Sequence, residues 1–295
     1  MGFGIRKAGV ADAAGIVDVW AHTTPHLVKT PAGIAFELEH ATGRVVFVAV
    51  EGDDVVGYGN AWAPDPGGRC RLAVQVPPLH GRRGIGAAMA ETVVGAAAGM
   101  GGTGLITVTT DDEWAKRFAM DRGFTIGREL AHAVASLDQL PEAVPPPDGL
   151  QLVTYDALEP RAIWQASAAV VSGDPSGLSS APAYDEWLET GWNHPDQAND
   201  LSFALLDDGE VVSFVTTTAN RDRQVIWSNL TGTLPAYRGK GLAKVVKAAA
   251  LHRAREAGFV AAYTGNDANN EPMLAVNRWL GYHRASSSWT ATRDL

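Results

Sequence analysis

Apolar residues along this chain recur at two spacings, every second residue over short runs and every third or fourth over longer ones, and the switches between them outline the elements. Gly4–Lys7, Arg44–Glu51, Val55–Trp62, Cys70–Val76 and Leu105–Thr109 read as strands, with Gly52-Asp53-Asp54 folding the second and third into a hairpin. Helices are predicted from an Asp12 cap through His22, with Ile16, Val17, Val19 and Trp20 apolar, over Ala87–Ala98, and over Glu113–Met120. Asp111 or Asp112 can cap the last of these, and Gly123 supplies the left-handed stop. A second set follows, with strands at Gln151–Thr154, Ser202–Leu206, Val211–Thr218, Ile226–Thr233 and Val260–Thr264. Its helices are predicted over Leu158–Val171, near Ala183–Thr190, over Lys244–Glu256 and over Pro272–Leu280, the last stopped at Gly281. An irregular stretch through Asp174 and Pro175 and a loop over Asn266–Asn270 interrupt this set.

Between the two sets lies Pro141-Glu142-Ala143-Val144-Pro145-Pro146-Pro147-Asp148-Gly149. Three consecutive prolines continue neither a helix nor a central strand, so the stretch reads as a stiff connector. The expected domains are 1–140 and 150–295, joined by a linker over 141–149. Their order of elements repeats. Gly86 and Ala243, which end two glycine turns, lie 157 residues apart, and the helix stops Gly123 and Gly281 lie 158 apart. Two related domains in tandem, of α/β class (α+β mixed sheet), are therefore expected.

Composition adds boundaries. The 295 residues are 46% hydrophobic and 19% charged, ordinary for a globular chain. A net charge of −9 argues against a nucleic-acid partner. Cys70 is the single cysteine, which excludes an internal disulfide and a cysteine-based metal site, and on a strand it reads as a small core residue. His22 and His26 stand four apart with no carboxylate at metal spacing, so no metal is expected. With no apolar leader and no run of the ~20 residues a membrane span needs, a cytoplasmic protein is expected, as monomer or homodimer.

The most informative stretch is Thr233-Leu234-Pro235-Ala236-Tyr237-Arg238-Gly239-Lys240-Gly241-Leu242-Ala243, a strand end, a glycine turn and a helix start. The first amides of a helix have no partner within it, and the macrodipole favours negative charge there, so the turn reads as a phosphate seat. Neither the P-loop spacing nor G-x-G-x-x-G is met.

These residues resemble the GNAT N-acetyltransferase superfamily, whose motif [QR]-x-x-G-x-[GA] follows a strand ending in V-x-P. Arg238 to Ala243 match its fixed positions, and Thr233-Leu234-Pro235 departs from V-x-P only at the first residue. In the first half Val76-Pro77-Pro78 matches, but Gly81 replaces the opening Gln or Arg before Gly84-Ile85-Gly86. The later pattern, an Asn capping a helix that ends in L-G-[FY], is met by Asn270 and Leu280-Gly281-Tyr282. In the first half Asp112 stands at the Asn position, and Arg122-Gly123-Phe124 ends the helix.

The resemblance implies two tandem domains, each a mixed, mostly antiparallel sheet flanked by helices, and acetyl-CoA as donor. The pyrophosphate would rest on the amides of Arg238, Gly239, Lys240, Gly241, Leu242 and Ala243, with the pantetheine along Thr231 and Thr233 and with Asn270 beside it. Val74, Val76, Arg82, Arg83, Gly84, Ile85 and Gly86 form the corresponding first-repeat site, where the two arginines would replace the charge that Gly81 lacks. The tyrosine that often protonates the leaving thiolate is replaced by Asn277 and by Ala119. Asp222, Asp185, Glu186, His194 and Tyr184 are candidate bases by neighbourhood only. Trp164, Trp187 and Trp192 either line the acceptor wall or pack the interior. The implied function is an acetyl-CoA-dependent N-acetyltransferase of a small primary amine, with the second domain catalytic. The alternatives are an acyl-CoA sensor or structural module without turnover, or a catalytic first domain.

Overall fold

A computed structural model describes residues 2–40, 42–172, 182–267 and 270–295. Asp174, Pro175 and the 268–269 part of the Asn266–Asn270 loop lie outside the described residues. The elements of the first half are β1 (Gly4–Lys7), α1 (Ala13–Thr23), α2 (Pro31–His40), β2 (Arg44–Glu51), β3 (Asp54–Trp62), β4 (Arg69–Gln75), α3 (Ile85–Gly99), β5 (Gly104–Thr110), α4 (Glu113–Met120) and β6 (Thr125–Ser136). Those of the second are β7 (Gln151–Thr154), α5 (Pro160–Val171), α6 (Tyr184–Trp187), β8 (Phe203–Asp207), β9 (Glu210–Asn220), β10 (Val225–Thr233), α7 (Leu242–Glu256), β11 (Ala261–Asp267), α8 (Glu271–Trp279) and β12 (His283–Asp294).

The contacts divide the chain into two compact units, Met1–Ala131 with Ser286–Leu295, and His132–Ala285. This differs from the sequence reading in two places. His132–Leu140 and the proline-rich connector Pro141–Gly149 belong to the second unit, and Ser286–Leu295 completes the first by pairing antiparallel with β5, from Ser288 opposite Thr110 to Asp294 opposite Gly104.

In the first unit β1, β2, β3 and β4 pair antiparallel and β4 pairs parallel with β5. α3 buries Ile85, Met89, Ala90, Val93 and Ala97, spacings of four, one, three and four that make a single helix stripe. Met89 and Val93 come close because β3 offers Gly59, where a Cβ would stand 2.5 Å from Met89 Sδ and 2.9 Å from Val93 Cγ1. On the other sheet face Ile16 and Val19 of α1 pack with Val48 and Tyr58.

The second unit repeats the plan. β7, β8, β9 and β10 are antiparallel and β10 is parallel to β11. Leu205, Val212 and Val215 face Leu242, Val245, Val246 and Ala250 of α7. The alternate residues Ala204, Val211 and Phe214 face Ile163 and Ala166 of α5. This is the period-two switch that separates the faces of a strand. Both units are thus mixed, mostly antiparallel sheets flanked by helices, the expected class.

Three elements lack a sequence assignment. α2 had a readable signal, since Pro31 opens it and Thr30 Oγ1 accepts from Gly33 N at 3.0 Å. β6 and β12 did not. β12 is rich in serine and charge, β6 is alanine-rich and carries Gly127, and pairing rather than propensity holds both. The helix expected near Ala183–Thr190 is one α-turn, Tyr184–Trp187, running into a π-helical turn over Leu188–Trp192.

Candidate functional site

In the second unit β10 and β11 pair only from Val225–Ala261 to Ser228–Thr264. Beyond that rung β10 shifts register against β9 between Ser228 and Thr231, a bulge that bends the strand, while β11 runs on to Asp267. The two strands therefore separate. Thr231 and Thr233 lie on the departing segment, opposite Val215 and Ser213 of β9. Thr233 Oγ1 shares a 2.9 Å hydrogen bond with Ser213 Oγ, and Thr233 O accepts from Arg238 Nε at 3.2 Å.

After β10 comes the glycine turn. Pro235–Tyr237 forms a short 3-10 turn, Arg238 is extended, and Gly239 and Gly241 take φ of 77° and 76°, the left-handed region that favours glycine. Arg238 N donates to Pro235 O at 3.3 Å and Lys244 N to Gly241 O at 3.0 Å, whereas the amides of Gly239, Lys240, Gly241, Leu242 and Ala243 make no backbone bond among the described residues. Five amide donors thus lie at the N-terminus of α7, and beyond the chain neighbours no described heavy atom comes within 4 Å of a Cβ built at either glycine. Arg238 and Lys240 are exposed beside them. Lys240 Nζ lies 4.7 Å from the centroid of the Tyr237 ring, whose hydroxyl donates to Asp207 Oδ2 at 2.7 Å. Asn270 Oδ1 accepts from Met273 N at 3.3 Å and caps α8.

The first unit has the same outline with different commitments. β4 and β5 pair parallel from Arg69–Gly104 to Arg71–Ile106, yet β4 keeps one register against β3 from Leu72 to Gln75. Val74 lies on that stretch and Val76 just past its end. Gly84 at 85° caps α3, with Ile85 and Gly86 as the first helical residues. Arg82 takes a φ of 58° where the second repeat has Gly239, a conformation that costs a side-chain-bearing residue about 1–2 kcal/mol. Its guanidinium sits 4.4 Å from the Trp114 ring centroid. Arg83 is ion-paired with Glu51, one of its contacts being 3.1 Å. Phe118 approaches Gly86, 3.6 Å from where a Cβ would stand. The cations of both loops are exposed and each loop lays one over an aromatic ring, so the first differs in the ion pair that ties Arg83 to Glu51.

Of the candidate bases, Asp222 stands far from the strand split and the other four lie on and after α6. Asp222 lies in the turn before Val225, so the nine residues of β10 put roughly 30 Å between it and Thr233. Asp185 and Glu186 are exposed on α6, and His194 Nδ1 accepts from Asp196 N at 3.1 Å within a turn. Tyr184 is flanked by Trp164 and Trp187 at 5.6 and 6.3 Å, with Arg161 3.9 Å over its ring. Trp187 in turn contacts Trp192, which stacks on Tyr155 at 5.7 Å. Trp187 and Trp192 also pack against the core on the α5 face, in the same cluster as Leu230 of β10. Asn277 is 4% exposed and its Nδ2 donates to Asn266 Oδ1 at 2.7 Å, and Ala119 is buried.

Two groups near the split escaped the sequence reading. On the α7 side, buried Lys247 places Nζ 5.2 Å from the Tyr282 ring centroid, and the Tyr282 hydroxyl is 3.2 Å from Ser228 Oγ at the last rung. Burial draws the Lys247 pKa down to about 7 and pushes the Tyr282 phenol well above its ordinary range. At the repeat spacing the first unit has Ala90 and Phe124 in their places. The other group is His132 of β6, whose pKa burial lowers to about 4. A lysine among apolar helix positions was a legible signal; a histidine on an unassigned strand was not.

A sequence profile described as Acetyltransferase (GNAT) family matches residues 15–124 and 169–282. A mycothiol acetyltransferase of Rhodococcus erythropolis is 29% identical over 257 residues, 84% of each chain. One from Streptomyces avermitilis is 26% identical, covering 78% of this chain and 74% of the relative. Among solved structures, a tandem GNAT protein from the clavulanic acid biosynthesis pathway superposes with a TM-score of 0.79 at 19% identity, covering 99% of this chain and 98% of that one. A GCN5-related N-acetyltransferase from Sphaerobacter thermophilus gives 0.74 at 15% identity, with 99% and 95% covered. At such identities these structures speak for the fold.

Proposed function

The chain belongs to the GNAT acetyltransferase family, and on that premise we propose that its second repeat binds acetyl-CoA and passes the acetyl group directly to the primary amine of a small acceptor. One observation carries the assignment to the second repeat. The bulge between Ser228 and Thr231 that carries β10 away from β11 has no counterpart in β4, which runs in register against β3. Both glycine turns present amides without a backbone partner among the described residues, but Arg83 of the first is paired with Glu51.

Arg238, Lys240 and the α7 amides would hold the pyrophosphate, because aligned donors and the helix dipole favour an anion. The departing edge of β10 from Asn229 to Thr233 would pair with the pantetheine in strand fashion, with Thr231 and Thr233 beside it. Acetyl-CoA supplies an activated acyl group, so the protein's work is to position an uncharged amine against it. The relatives' name makes a mycothiol-type acceptor the first to try. The enzyme is proposed to act in the cytoplasm as a monomer or homodimer.

Acetyl-CoA should raise the melting temperature, as any ligand selective for the native state does, and slow hydrogen exchange at the amides from Arg238 to Ala243. If CoA left both unchanged, the assignment would be wrong. The buried Asn277 and Ala119, neither of them an acid, favour as second reading an acyl-CoA-binding module without turnover. Binding with no thiol release across a broad amine panel would support that module.

A further inference from the structure

Gly265 is the first β11 residue past the last β10–β11 rung. A Cβ built on it would stand 3.1 Å from Trp227 Cη2 and 3.2 Å from His132 Nδ1. The two rings therefore close over this glycine because it carries no side chain. His132 is 9% exposed, and its ring lies 6.3 Å from that of Trp227 at 46°.

The face matters. Ile226 packs with Ala248 and Leu251 of α7, and Ser228 meets Tyr282 on the same side. Trp227 alternates with them and sits opposite Thr218, so it and the imidazole occupy the face that carries α5. The amide fan stands at the start of α7, on the other face. A thioester lying in the separation between the strands is thus approached from the His132 side.

Given acetyl-CoA in the second repeat, a premise shared with the function proposed above, we propose that His132 receives the proton of the attacking amine. The amine nitrogen bonds to the carbonyl carbon, the C–S bond breaks with its electron pair going to CoA as thiolate, and the surplus N–H proton moves to the imidazole. The imidazolium then returns the proton to water or to the thiolate, leaving amide and free CoA. Burial keeps the ring neutral at pH 7, with a pKa of about 4, so it enters the step unprotonated. The thiolate formed in the same step compensates the cation that burial disfavours.

Two small nucleophiles avoid the need to know the acceptor. Each sheds one surplus N–H proton on acylation, but the weakly basic hydroxylamine gives it up readily to water, whereas the strongly basic methylamine holds it and needs an acceptor. In His132→Gln, thiol release with methylamine is expected to fall about 100-fold or more, the usual scale of a general base. The rate with hydroxylamine should stay within about threefold, with KM for acetyl-CoA unchanged. Added imidazole should restore His132→Ala. In the unmodified full chain labelled at histidine with nitrogen-15, the His132 ring signals should differ between CoA-bound and acetyl-CoA-bound protein. Identical signals in the two complexes, or equal slowing with both nucleophiles, would overturn the proposal. A missing acetyl-CoA-induced rise in melting temperature would instead remove the premise, and the two failures read out separately.

Discussion

Replacing Lys247 with methionine should stabilise the protein at neutral pH and flatten its pH dependence. The lysine is 1% exposed within α7, faces the Tyr282 ring at 5.2 Å, and has its pKa drawn from 10.5 to about 7 by burial. In the unfolded chain the ordinary value returns. Between pH 7 and 10.5 the unfolded state therefore binds more protons than the folded one, and stability rises with pH through that window. At ~1.4 kcal/mol per pKa unit the whole difference is about 5 kcal/mol, of which ~2 kcal/mol is regained between pH 7 and 9. Methionine has similar length and no charge, and relieving an uncompensated buried ion is worth about 1–4 kcal/mol. Urea denaturation at pH 7, 8 and 9, followed by tryptophan fluorescence and circular dichroism, measures both quantities. If Lys247→Met lost stability at pH 7 while the rise toward pH 9 persisted, the ammonium would not be the group penalised by burial.

The other predictions concern the two glycine turns and the buried imidazole. Gly241→Val forces a β-branched residue to a φ of 76°, with strain of about 1–3 kcal/mol, and should abolish the acetyl-CoA-induced rise in melting temperature. Gly84→Val imposes the same strain at 85° in the first repeat, and it should lower stability yet leave that rise intact if only the second repeat binds. A calorimetric titration gives the stoichiometry, with one acetyl-CoA per chain expected. The His132 pKa is depressed from 6.5 to about 4, so the unfolded state binds more protons between those values, and stability should fall as pH drops from 6.5 to 4. In His132→Gln that part of the acid sensitivity should be missing from denaturant midpoints measured across the window.

The repeat, the phosphate turns and the helix stops were legible in the residues because each depends on a local dihedral need. Gly84, Gly123, Gly241 and Gly281 all take positive φ, a conformation in which glycine alone is unstrained, so their spacing survives as a readable register. The caps Asp112 and Asn270 are equally local, each accepting from an amide two or three residues on. Tertiary structure decided what depends on distant partners. Ser286–Leu295 is a strand because β5, nearly two hundred residues earlier, offers it an edge, and no intrinsic preference of its serine-rich sequence says so. Arg83 and Arg238 look alike in their turns and both are exposed, but the first is paired with Glu51 while the second is bonded to the backbone oxygen of Thr233. Lys247 and His132 acquire shifted pKa values only from the bodies packed around them, and Gly265, unremarked in the sequence, is what lets the imidazole reach the strand split. Backbone conformation follows from a residue and its neighbours in the chain, whereas the availability of a charge or a proton acceptor follows from neighbours in space.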